Sequence, residues 1–101
     1  MVTANTKKYV LKLCISGMTA RSCEALCNLK QLCDAYLKGR YQLEVIDLYQ
    51  QPELAATHQI IATPTLLKNY PLPPRRLIGN LSDTDTTLRR LGIGIREEGT
   101  Q

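Results

Sequence analysis

Four cysteines, one histidine and a Thr-Pro-Thr step are the residues in this 101-residue chain with the makings of a reactive centre. Cys14, Cys23, Cys27 and Cys33 never fall into a Cys-x-x-Cys pair. A dithiol centre wants its sulfurs at i and i+3 on a helix N-terminus, where the dipole lowers the nucleophile's pKa. Cys23 and Cys27 miss that spacing by one residue. A zinc site needs four ligands at recognisable intervals, and His58 lies far along the chain from every cysteine. Cys14, Cys23 and Cys33 therefore read as small core residues, with Cys27 on a helix flank. A lone peroxidase-type thiol at Cys23 is the alternative its place near a helix start leaves open. No carboxylate pair and no glycine-rich phosphate loop stands out, and Asp47 reads as a turn or cap residue. The expectation is a chain with no catalytic residues, no metal and no cofactor.

Positioning elements follow from periodicity. Residues 9–15, YVLKLCI, form a short apolar run closed by Ser16-Gly17, which predicts a buried strand. Thr19 is an N-cap for a helix to about Leu37, with Cys23, Leu26, Leu29, Cys33 and Tyr36 as its core stripe. Gly39 suits the turn after it. In YQLEVID, 41–47, Tyr41, Leu43 and Val45 alternate with polar residues, the period of a half-buried strand. Strand, helix and strand with short joints predict a βαβ unit with parallel strands. Pro52 opens a short helix in PELAATHQ. Thr65-Leu66-Leu67 is an apolar stub, and three prolines make 70–74 an edge or a loop. Arg75 to Ile78 reads as a short strand. Ser82 with Asp85 three residues on opens a last helix to about Leu91, ended by Gly92 and Gly94. Local signals after residue 50 are weak and permit more than one packing.

Composition bounds the function. Apolar residues are 44% of the chain, ordinary for one globular domain over 1–101, with flexible ends at 1–8 and 96–101. Net charge is +4, split evenly: seven Lys/Arg against five Asp/Glu up to residue 61, and six against four beyond it. Nucleic-acid binding is not expected without a basic stripe, and an acidic protein surface suits this balance as well. No apolar run approaches the roughly 18 residues of a membrane span, and no secretory leader precedes the first strand. The expected location is the cytoplasm.

IATPTLL, 61–67, resembles the loop of thioredoxin-like proteins in which a cis proline faces the active site. There the thiol pair follows the first strand, where this chain has Thr19-Ala20-Arg21-Ser22, a hydroxyl at each cysteine position. More specifically, YVLKL at 9–13, Gly17-x-Thr19, Ala25-Leu26, GRYQLEVIDLYQQPELA at 39–55, ATPTLLK at 62–68 and PPRRLIGNLSD at 73–83 resemble the KaiB family. The likeness runs from about Tyr9 to Leu91. It implies an α/β fold: a thioredoxin-like βαβ half, then a metamorphic half that packs one way at rest and another, thioredoxin-like way on a partner. For a chain without its partner it implies the resting packing and a homo-oligomer, tetramer or dimer.

The resemblance further implies a non-catalytic regulator that binds a KaiC-type hexameric ATPase and modulates its phosphorylation cycle in a circadian or clock-related system. KaiA and a clock histidine kinase are further possible partners. Implied contacts are Lys68, Arg75 and Arg76 with the helix from Glu53 to Gln59, and Pro64, Pro71, Pro73, Pro74 and Gly92 set loop and switch geometry. Glu44 replaces the family's usual KaiA-contacting lysine, and reversed charge disfavours that partner. The alternative is an accessory or stress-related paralogue acting on another KaiC homologue without KaiA. A thiol oxidoreductase is the remaining reading, against which Thr19 and Ser22 stand.

Overall fold

The computed structural model describes residues 8–93. Its elements are β1 (Tyr9–Ile15), α1 (Ala20–Tyr36), β2 (Tyr41–Asp47), α2 (Glu53–Thr57), β3 (Thr65–Tyr70), β4 (Arg75–Ile78) and α3 (Thr84–Leu91). They build one mixed four-stranded sheet in the order β2-β1-β3-β4. β1 runs parallel to β2, from Tyr9 opposite Tyr41 to Ile15 opposite Asp47, as the βαβ reading predicts. β3 is antiparallel to both β1 and β4. The ends expected to be flexible, 1–7 and 96–101, lie outside the described residues, as does Gly94, while Lys8 is exposed.

Alternation along β1 sorts the core into two layers. Tyr9, Leu11, Leu13 and Ile15 face α1 and α3, meeting Ala25, Leu29, Leu32, Cys33, Leu88 and Leu91. Cys14 faces the other way, joining Ile46, Leu48 and Leu67 beneath Leu54 and Ala55 of α2. The stripe α1 buries is Ser22, Ala25, Leu29, Leu32 and Cys33. Cys23 and Tyr36, expected inside, are exposed. The apolar residues of α1 admit two stripes about one position apart, and small Ala25 lies on the one that brings the helix close to the sheet. Val45 is also exposed rather than inward, because β2 is an edge strand and Ile46, on its opposite face, is the residue α2 covers.

The second half takes the thioredoxin-like packing, not the resting one expected of a free chain. α3 is closed at both ends. Asp83 is its N-cap, one residue beyond the expected Ser82, and its Oδ1 accepts the Thr86 N–H at 3.1 Å. Gly92, at φ +71°, donates to the Arg89 carbonyl, and Ile93 N–H reaches back to Leu88 at 3.0 Å. That is a Schellman motif, and buried Ile93 and Leu88 supply its apolar contact. Tyr9 Oη donates to the Gly92 carbonyl at 3.4 Å, joining this end to β1.

The four thiols divide by layer. Burial raises Cys14, and burial followed by the nearby Asp34 carboxylate pushes Cys33 up to about 12. Cys23 and Cys27 face outward on α1. Iodoacetamide should therefore modify Cys23 and Cys27 in the folded chain and spare Cys14 and Cys33 until denaturant is added. Intact-mass measurement checks this, and full labelling of all four in buffer would contradict the layering.

Candidate partner-binding surface

At the carboxyl end of β1, two loops meet where a thioredoxin-like layout would hold its thiols. Asp47, the last residue of β2, ties them together: its Oδ1 accepts the Gly17 N–H at 3.0 Å and the Tyr49 N–H at 2.9 Å. Gly17 adopts φ +72°, and a Cβ there would stand 2.9 Å from the Tyr49 ring. Glycine thus lets the ring lie across the loop. Thr19 caps α1 by accepting the Ser22 N–H at 3.1 Å, and its hydroxyl donates to Ser22 Oγ at 3.1 Å. Thr63 Oγ1 donates to Ser16 Oγ at 3.0 Å across the gap, and the Thr63-Pro64 peptide is cis, with Pro64 buried.

The hydroxyls standing where a dithiol would be are paired with one another. His58 lies on α2's C-cap, across the sheet from α1, so no imidazole serves Ser22 or Cys23 as a base. Among the described residues no group of three or more His, Cys, Asp or Glu is arranged to hold a metal. What the corner offers is apolar surface in water: Met18 is 63% exposed, Tyr49 75% and Ile61 87%. Sequence reasoning missed all three. The signal was present in Ile60-Ile61, since adjacent side chains in extended backbone point to opposite sides, and it is Ile60 that packs under α2.

Residues expected to touch partners are dispersed. Lys68 is a correction: it is 3% exposed, and its Nζ donates to the Leu91 carbonyl at 3.2 Å. A cation there completes the C-terminus of α3, whose terminal carbonyls carry partial negative charge. Arg76 is exposed, but its guanidinium donates to the Gln59 and His58 carbonyls at 2.9 and 2.7 Å, which fixes the end of α2. Arg75 is exposed opposite Lys68 in the β3–β4 register. Glu53 opens α2 and faces solvent, while Gln59, at φ +56°, closes the turn behind it. Glu44 stands on the outer strand β2, with Lys12 Nζ at 4.0 Å. The structure therefore gathers Gln59 and Arg76, sets Arg75 beside them, and leaves Glu44 on the far edge. Pro71, Pro73 and Pro74 form the β3–β4 connection, with cis peptides before Pro71 and Pro73.

Residues 12–93 match the model of the KaiB domain. A circadian clock oscillator protein KaiB of Prochlorococcus marinus is 48% identical over 90 residues, 89% of this chain and 83% of the relative. The chain belongs to the KaiB family. A circadian clock protein KaiB3 of Synechocystis is 40% identical over 94 residues, covering 93% of this chain and 90% of that protein. Membership makes this KaiB-family chain a non-catalytic clock-family protein. In shape it is similar to the N-terminal domain of Synechococcus elongatus SasA, with a TM-score of 0.71 and 23% identity over 98% of this chain and 94% of that one. Mitochondrial thioredoxin 3 of Saccharomyces cerevisiae aligns at TM-score 0.66 and 15% identity, covering 83% of this chain and 77% of the thioredoxin. The KaiB-family chain thus has a thioredoxin-like fold. No helix among the described residues is long and apolar enough to cross a membrane.

Proposed function

We propose that this chain is a binding module that docks on a KaiC-type hexameric ATPase and modulates its phosphorylation cycle in a clock-related system. The observation that supports it most is the converted corner. Met18, Tyr49 and Ile61 stay exposed around a loop junction whose hydroxyls and Asp47 hold it in shape. Exposed apolar side chains clustered on fixed loops mark a protein-binding site. α2 borders this corner, so Glu53 and the helix to Gln59 extend the same face, while Pro64 sets its floor. Arg75 and Arg76 add charge on the neighbouring edge, and Lys68 acts by holding α3.

On this reading the thioredoxin-like packing is the docking state, and a second packing of the residues after 50 is stored in a homo-oligomer. Two such packings coexist only if they differ by a few kcal/mol. Gly92 belongs to the switching part, since its left-handed turn ends α3. The accessory reading, a paralogue working without KaiA, is favoured by Glu44, which puts negative charge on the exposed β2 edge. The location proposed is the cytoplasm.

The test is a pair of surface variants. Ile61→Asp and Glu53→Lys should each weaken capture by an immobilised KaiC-type hexamer at least about tenfold, because a charge is placed in an apolar contact or reversed within it. Thermal midpoints should stay near wild type, both side chains being exposed. Undiminished capture by both variants would remove this face from the interface.

A further inference from the structure

At the opposite end of the sheet from the Tyr49–Ile61 corner, arginines gather around one strand. β4 is an edge: it pairs with β3 from Thr65 opposite Ile78 to Lys68 opposite Arg75, and among the described residues no strand flanks its other side. The last turn of α3 brings Arg89 and Arg90 to the same cleft as Arg75 and Arg76, walled also by Pro74 and Leu77, with a volume of about 420 Å³. Arg76 is committed to the His58 and Gln59 carbonyls. Arg75, Arg89 and Arg90 are exposed, and no described carboxylate stands within 4.0 Å of them as an ion-pair partner. The acidic residues Asp83 and Asp85 sit at the N-cap and first turn of α3, the far end from Arg89 and Arg90. Asp83 is held low chiefly by its Thr86 hydrogen bonds, with Arg89 a lesser influence.

We propose that this cleft docks an extended, carboxylate-rich peptide segment of a partner protein, laid along β4 as an added strand. Three observations select that occupant. An edge strand offers main-chain donors and acceptors to an incoming chain, the basis of recognition by strand addition. Guanidinium groups present planar forks that match carboxylates two bonds at a time, and three of them here have no ion-pair partner among the described residues. The same arginines repel a second copy of this edge, so β4-to-β4 pairing is disfavoured. A nucleic-acid strand fits less well, since no aromatic ring among the described residues lines the cleft for base stacking. Arg75 and Arg76 also border the surface of the ring reading, whereas Arg89 and Arg90 belong to this cleft and not to that surface.

The test uses the full chain and a short fluorescent peptide alternating Glu with Val, against the same peptide with Gln for Glu. Anisotropy should show the Glu peptide binding at least about tenfold tighter, with affinity falling as salt rises. Arg75→Gln and the double variant R89Q/R90Q should each lose about tenfold or more. Glutamine keeps helix propensity in α3, and unchanged thermal midpoints confirm that the variants fold. Amide shifts on titration should concentrate at Arg75–Ile78 and Arg89–Leu91. Equal binding of both peptides, undiminished binding by the variants, or shifts centred elsewhere would overturn the proposal. So would tighter binding of an oligonucleotide of equal charge, or self-association abolished by the same variants. Ring capture by R89Q/R90Q should remain at the wild-type level, which separates failure here from failure of the ring reading.

Discussion

Replacing Lys68 by glutamate should destabilise the protein by more than about 3 kcal/mol, whereas Lys68→Met should cost far less. The ammonium group is buried against the Leu91 carbonyl, at the negative end of α3. A carboxylate there meets the same partial charge with the wrong sign and has no water to turn to. Methionine keeps the apolar stem and removes the charge, so its cost is that of lost hydrogen bonds, worth on the order of 1 kcal/mol each. The glutamate penalty has a definite pH signature. Its folded pKa would be raised, so the penalty is absent below the ordinary carboxylate range and grows as pH rises through it. Urea midpoints for both variants at acidic and neutral pH check this. If Lys68→Glu keeps wild-type stability but loses ring capture, Lys68 is a surface contact and its assignment to the α3 terminus fails.

Leu91→Ala should be the most damaging truncation in the second half, costing about 3 kcal/mol. The side chain is fully buried in the α1–α3 layer and sits just before the Schellman turn. A loss of that size lowers the thermal midpoint on the order of 10–20 °C in a domain of this length. Because the competing packing involves residues after 50, the cost falls on the thioredoxin-like state in particular. Ring capture should drop with stability, while the parallel β1–β2 pairing, which α3 does not join, keeps its amide protection longest. A midpoint within about 1 kcal/mol of wild type would mean that α3 is not docked in solution as the structure has it.

Much of this arrangement was legible in local sequence. β1, β2 and β4 fall on their predicted residues because each is a short apolar or alternating run bounded by Gly, Pro or Asp. α3 begins one residue late only because Asp83, rather than Ser82, takes the cap. What failed was information that lies between elements. The phase of α1, and hence the exposure of Cys23 and Tyr36, depends on which stripe meets β1. Lys68 was expected to touch a partner, and its burial instead follows from α3 returning over β3, a contact 23 residues away in sequence. The candidate corner was half visible. Its lost thiols and Pro64 could be read directly, but Tyr49 and Ile61 belong to loops whose meeting depends on Asp47 bridging them.

The central claim, a KaiB-family module that docks on a clock ATPase ring, is tested most directly by native mass spectrometry of the full chain with a KaiC-type hexamer and nucleotide. The expected result is loading up to one copy per ATPase subunit, with depletion of any free oligomer and loss of loading in Ile61→Asp. A chain that stays free beside every such hexamer, under conditions where a clock oscillator KaiB loads fully, would contradict it.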